Sequence, residues 1–195
     1  MANFKKTRLM KTLSLIFALT LIVTAFTGCG GKEEEPTTTE PTTIITTERP
    51  VVHRNPLTGE AGYNEELIGN RPVMVVVENH PQARPQWGLT SSDIVFEMVA
   101  EGGITRMILM YADASLLPDK IGPVRSARHY FLDLAEGYDA IFTHFGQSTY
   151  AKTQLANHDI DNINGYIDGS YFSRDRSRNV DSEHTAYTTK EWVLK

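Results

Sequence analysis

Two arginines three residues apart, Arg125 and Arg128, flank Ser126 just after a Gly122-Pro123 turn. Guanidinium forks grip carboxylate or phosphate oxygens in pairs, and the free N–H groups at a helix start favour the same ligands. With Ser126 as a hydroxyl donor and Arg106 and Arg84 as further cations, the group reads as an anion-binding site. A plainer reading stands beside it: the arginines pair with acidic side chains elsewhere in the domain. Catalysis would need an acid or base next to such a clamp, and Glu101, His144 and His184 are the candidates. No nucleophile or phosphate motif accompanies them: there is no Gly-x-Ser-x-Gly, no His-Glu-x-x-His and no phosphate loop. His80, His129, His144 and His184 are scattered without ligand spacing, so no metal and no cofactor is expected.

These residues need elements to position them. Arg71-Pro72 leads into Val73-Met74-Val75-Val76-Val77, an apolar β-branched run that predicts a strand buried on both faces. It ends in Glu78-Asn79-His80-Pro81, polar residues at the carboxyl end of a strand, where ligand sites often lie. The loop that follows, 82–90, holds Arg84 and Trp87. Residues 93–101 and 104–111 predict a hairpin around Gly102-Gly103, a pair suited to positive φ. That register sets Arg106 opposite Val99, with Glu97 and Glu101 diagonal to it on the same face. The three form either a cross-strand ion cluster or the wall of a pocket in which a glutamate acts as acid or base.

Apolar positions 127, 130, 131, 134, 135 and 138 follow a helical period and predict a helix over 126–136. Ser126 is its expected N-cap and Gly137 its stop. Two arginines at its opening are electrostatically odd, because a cation there is disfavoured by about 0.3–1 kcal/mol. Residues 140–145 read as another strand with His144 near its end, and 149–157 as a helix. The stretch 169–182, with Arg174, Arg176 and Arg178, reads as a solvated loop. Thr188 or Thr189 caps a last helix starting at Lys190. The expected fold is α+β: a mixed sheet of 73–77, 93–100, 104–111 and 140–145 packed by the 126–136 helix.

The chain has 195 residues. Residues 1–28 carry four basic side chains and then an apolar run too short for a membrane span, as in a secretory signal. The run closes on Phe26-Thr27-Gly28-Cys29, which resembles a bacterial lipobox with phenylalanine where leucine is usual. Cys29, the only cysteine, is then the lipidated residue that anchors the protein to a membrane. Residues 29–52, rich in Thr, Pro and Glu, read as a disordered tether, and 53–195 as one domain. Loss of the signal takes 19 basic side chains down to 15 against 24 acidic, a net charge of −9. That balance argues against nucleic-acid binding. The chain stops as its last helix starts, on Trp192-Val193-Leu194, which reads as truncation before a second domain.

Five motifs occur in order behind the lipobox: Asn55-Pro56-Leu57-Thr58-Gly59, Arg71-Pro72, the Arg84 to Trp87 loop, Glu101-Gly102-Gly103-Ile104-Thr105-Arg106, and Gly122-Pro123-Val124-Arg125-Ser126-Ala127-Arg128. Together they resemble the YerB-like bacterial lipoproteins, whose N-terminal domain is the DUF3048 domain of unknown function. Around His184 similar proteins tend to read Pro-His-Asn-x-Tyr, where this chain has Glu183-His184-Thr185-Ala186-Tyr187. The resemblance implies a lipoprotein on the outer face of the cytoplasmic membrane and supplies no reaction. The expected function is binding of an anionic envelope ligand, such as a cell-wall polymer, or of an envelope protein. Trp87 or Tyr130 is available to stack on a sugar. An envelope assembly factor and a cell-wall-active hydrolase or transferase are the alternatives.

Overall fold

A computed structural model describes residues 50–195. The signal, the lipobox cysteine and nearly all of the tether lie outside the described residues.

The Val-rich run forms β1 (Val73–Glu78), buried along its whole length. It lies at the centre of a five-stranded sheet with β2 (Ile94–Val99), β3 (Thr105–Tyr111), β4 (Ile141–His144) and β5 (Asn162–Asn164). The order is β2-β3-β1-β4-β5; β2, β3 and β1 pair antiparallel, whereas β4 and β5 extend the sheet parallel to β1. The expected α+β class is therefore correct. β1 is apolar on both faces because both are covered. On one face Met74, Val76, Ile108 and Met110 pack under α1 (His129–Gly137) through Phe131, Leu132 and Ala135, with α2 (Thr149–Asn157) beside it. On the other, Val73, Val75, Val77, Leu109 and Tyr111 meet Leu117, Ile121, Val124 and Phe172. Each fully buried side chain of this size is worth about 1.5–3 kcal/mol of burial. The second face is completed by the ribbon of β6 (Ser173–Arg174) and β7 (Ala186–Tyr187) and by α3 (Lys190–Val193), capped by Thr189. β2, at the sheet edge, alternates half-buried Ile94, Phe96 and Met98 with exposed Val95, Glu97 and Val99.

Two local expectations are corrected. The hairpin closes on three residues, Glu101–Gly103, with Ala100 N–H donating to Ile104 C=O at 2.7 Å. Both glycines sit at positive φ, as expected, but the extra loop residue slips the register by one. Arg106 now stands opposite Met98, and Glu97 turns to the other face, where it accepts from Thr105 Oγ1 at 2.6 Å and Asn79 Nδ2 at 3.0 Å.

The second correction concerns the arginine segment. The helix begins at His129 rather than 126, Arg128 takes the N-cap position without a side-chain cap bond, and Ser126 caps nothing. Residues 121–128 are an extended strap wedged where β1 and β4 part. Arg125 N–H donates to Val76 C=O at 3.0 Å, and Arg125 C=O accepts from Phe145 N–H at 3.0 Å. Val124 bridges Val77, and Ala127 bridges Gln147. Rungs to strands on both sides satisfy this backbone more fully than a helix start, which leaves its first N–H groups unpaired.

Candidate functional site

Glu78 closes β1 in the row of Met74 and Val76, directly across from Arg106 on β3. Beyond the cover of α1 the apolar row thus becomes a charged one, and a cleft of about 320 Å³ opens there. Its walls come from the end of β1 (Glu78) and the loop after it (His80), the hairpin tip (Glu101) and β3 (Arg106), the strap (Arg125) and the turn before β7 (Asp181, Glu183, His184).

At its floor lie Glu78 and His184, each with a side chain only 5% exposed. His184 Nδ1 is 2.9 Å from Glu78 Oε2. The His80 ring stacks on that of His184, with centroids 4.6 Å apart and planes within 6°. Arg125 Nε lies 3.0 Å from Glu78 Oε1, but its N–H points off that oxygen, so the contact is an ion pair without an aligned hydrogen bond. Removing one partner from a buried charge group of this kind costs about 3–5 kcal/mol, because the others are left uncompensated. Arg125 Nη1 reaches Glu183 Oε2 at 3.0 Å, and the other oxygen of Glu183 faces His184 Nε2 at 3.7 Å.

A second ion cluster forms the rim. Arg128 grips Glu101 with both Nε and Nη2, the latter at 2.6 Å, while Arg106 Nη2 donates to Glu101 at 3.2 Å and its Nη1 to Ser126 C=O at 2.7 Å. The Arg128 hydrogen bonds pull the Glu101 carboxyl down to about 2. Burial, reinforced by the Arg128 charge, brings the Arg106 guanidinium down to about 10.

The residues singled out in the sequence are only partly brought together. Arg106, Arg125, Glu101 and His184 share the cleft. Arg128 and Ser126 stand behind it; the Ser126 hydroxyl donates to Phe145 C=O at 3.0 Å. Arg84 is spent on Asn79, donating to its side-chain oxygen at 2.9 Å. His144 is fully buried away from the cleft, with Nδ1 2.7 Å from Gly146 C=O and Nε2 3.1 Å from Asn162 Oδ1. Burial pushes its pKa down, so it stays neutral. Trp87 already carries the Lys120 ammonium at 3.7 Å and the Arg178 guanidinium at 4.5 Å from its ring centre. Tyr130 donates to Val99 C=O at 2.7 Å. In 169–182 the expected loop contains β6, and its arginines hold backbone: Arg178 Nη2 bonds Pro85 C=O at 3.0 Å, and Arg174 bonds Ser182 C=O.

Glu183 and Asp181 are the site residues that sequence reasoning missed, and Glu78 was placed at a strand end suited to a ligand site without being given a role. Only Glu78 left a signal, a lone acid closing an otherwise apolar strand.

An α+β sheet with a polar cleft at the carboxyl end of its central strand defines the class. Residues 57–195 match the family described as "Protein of unknown function (DUF3048) N-terminal domain", and the chain belongs to that family. It is 40% identical over 192 residues to YerB of Bacillus subtilis (strain 168), a protein named provisionally as a lipoprotein, covering 95% of this chain and 52% of that one. The crystal structure of Bacillus subtilis YerB superposes with a TM-score of 0.67 at 44% identity, covering 73% of this chain and 48% of the other. The chain thus spans about half the length of the relative it matches.

Proposed function

We propose that this protein is a lipid-anchored extracytoplasmic binding domain, held by Cys29 and the 29–52 tether on the outer face of the cytoplasmic membrane, whose cleft takes an anionic envelope ligand. The anchor is supported by Phe26-Thr27-Gly28-Cys29 and by the lipoprotein name of the Bacillus subtilis relative. The ligand class rests on one observation: two cleft guanidiniums have exposed, displaceable partners. Arg106 and Arg125 line the cleft, while Glu101 and Glu183, which pair with them, are 64% and 55% exposed. Exposed pairs are worth only about 0–1 kcal/mol, so an incoming phosphate or carboxylate can take the place of Glu183 at little cost. Glu183 then acts as an internal competitor.

Titration of the purified protein with inorganic phosphate and with a phosphodiester-containing wall polymer tests this. Arg125→Lys, which keeps a cation beside the buried Glu78 but loses the guanidinium fork, should weaken binding at an unchanged melting temperature, and Glu183→Gln should tighten it by roughly the 2- to 5-fold that a weak exposed pair implies. Unchanged binding by Arg125→Lys together with unchanged binding by Glu183→Gln would remove the cleft from consideration. An enzymatic role finds less support, since Glu101, held ionised, is a poor proton donor.

A further inference from the structure

The turn Asp181-Ser182-Glu183-His184 carries a feature that the anion reading does not use. One donor atom from each of Asp181, Glu183 and His184 lies within 4.8 Å of the others. Two acids and a histidine at a surface are not by themselves a site. The second observation is the state of His184. Its ring is almost wholly buried, its Nδ1 is taken by the Glu78 carboxylate, and its Nε2 has no hydrogen bond among the described residues although it faces the cleft. A carboxylate on one ring nitrogen, with the other nitrogen left without a hydrogen bond, is how metal-ligating histidines are oriented.

We propose that His184 Nε2, Glu183 Oε1 and the Asp181 carboxylate bind a divalent first-row metal ion, with Glu78 behind the histidine as its orienting partner. Two carboxylate oxygens and one imidazole suit Zn²⁺ or Mn²⁺, and three protein ligands leave coordination positions open to water or a ligand. Donors about 2.0–2.2 Å from one ion lie roughly 3–3.6 Å apart; the 3.7 Å between Glu183 Oε1 and His184 Nε2 is already near that spacing. The Asp181 carboxylate is exposed and has no side-chain partner among the described residues, so it is free to close on the ion. Arg125 holds Glu183 by its other oxygen, which leaves Oε1 turned toward the histidine.

The site does not depend on anion binding and is tested without any anionic ligand. Chelator-stripped full chain is titrated calorimetrically with Zn²⁺ and with Mn²⁺ in a non-coordinating buffer, and the histidine ¹⁵N resonances are followed with Zn²⁺. One ion should bind per chain, shifting His184 Nε2 while Nδ1 keeps its proton. Asp181→Asn/Glu183→Gln, whose changes lie on the surface and spare the fold, should weaken binding by at least the about 10- to 100-fold that loss of an outer-shell partner costs. No shift at His184 up to millimolar metal, or equal affinity in the double variant, overturns the proposal. Anion binding predicts the opposite sign for Glu183→Gln, so the two readings fail separately.

Discussion

Glu101 and His144 were alike as titratable candidates in the sequence, and their surroundings give them opposite characters. Glu101 is exposed and charged because Arg128 and Arg106 hold it; at His144 burial outweighs the support that Gly146 C=O, Asn162 Oδ1 and the Asp168 charge give the protonated ring, and its pKa is lowered. Both depress the folded-state pKa, so the sign of the linkage is shared. A proton binds more readily to the unfolded chain, and stability falls on acidification. The windows differ. His144 removes stability as pH drops below its ordinary 6.5, whereas Glu101 does so between 4.5 and about 2. Urea unfolding followed from pH 8 to pH 2 should show both losses. Glu101→Gln should be less stable than wild type at pH 7 by about 0.2–1 kcal/mol, the size of an exposed pair, and that gap should close as pH approaches 2. A gap unchanged at low pH would mean that the Arg128 contact is not electrostatic.

At the scale of elements, the strap decides where the site can be. Gly122 opens it at φ +150°, and a Cβ there would meet the carbonyl oxygen of Ala186 at 2.7 Å and the amide nitrogen of Val124 at 2.9 Å. Both are backbone atoms that cannot swing aside. Gly122→Ala should therefore cost about 1–3 kcal/mol, as for a residue forced into a sparse region of φ/ψ space. Hydrogen exchange should locate the damage: faster exchange at Val124 and Arg125, with the β1–β3 ladder less affected. Uniform loss across the sheet would contradict a local role. The strap also marks the limit of what could be read in advance. β1 was legible because five consecutive apolar residues suit little else, and α1 because Phe131 and Ala135 repeat at helical spacing. The strap was not, because the satisfaction of its N–H groups depends on Val76 and Gly146, partners far off in sequence. The hairpin was legible as a pair of strands but not in register, since Glu101 could belong to strand or loop. The site suffered most: Glu78, Glu183 and His184 meet across separations as large as 106 residues, which no local pattern encodes.

For the whole molecule, the proposal that Cys29 anchors the domain has a direct consequence for where the protein is found. Cys29→Ser should move it from the membrane fraction to the soluble or secreted fraction without changing its melting temperature, since the substitution leaves every residue of the matched domain, 57–195, unaltered. Membrane retention of the variant, read by fractionation and blotting, would assign the anchoring to something other than a lipid. Confinement to a surface also changes the demands on the sheet edge. Molecules held in two dimensions meet far more often than molecules in bulk, and an unpaired strand is a template on which another copy can zip. β2 offers such a template in Val95 and Val99, 43% and 63% exposed, and Glu97 alone interrupts them. Glu97 is the one charge on that exposed stripe, and a valine in its place would join its neighbours into one sticky ribbon along the edge strand.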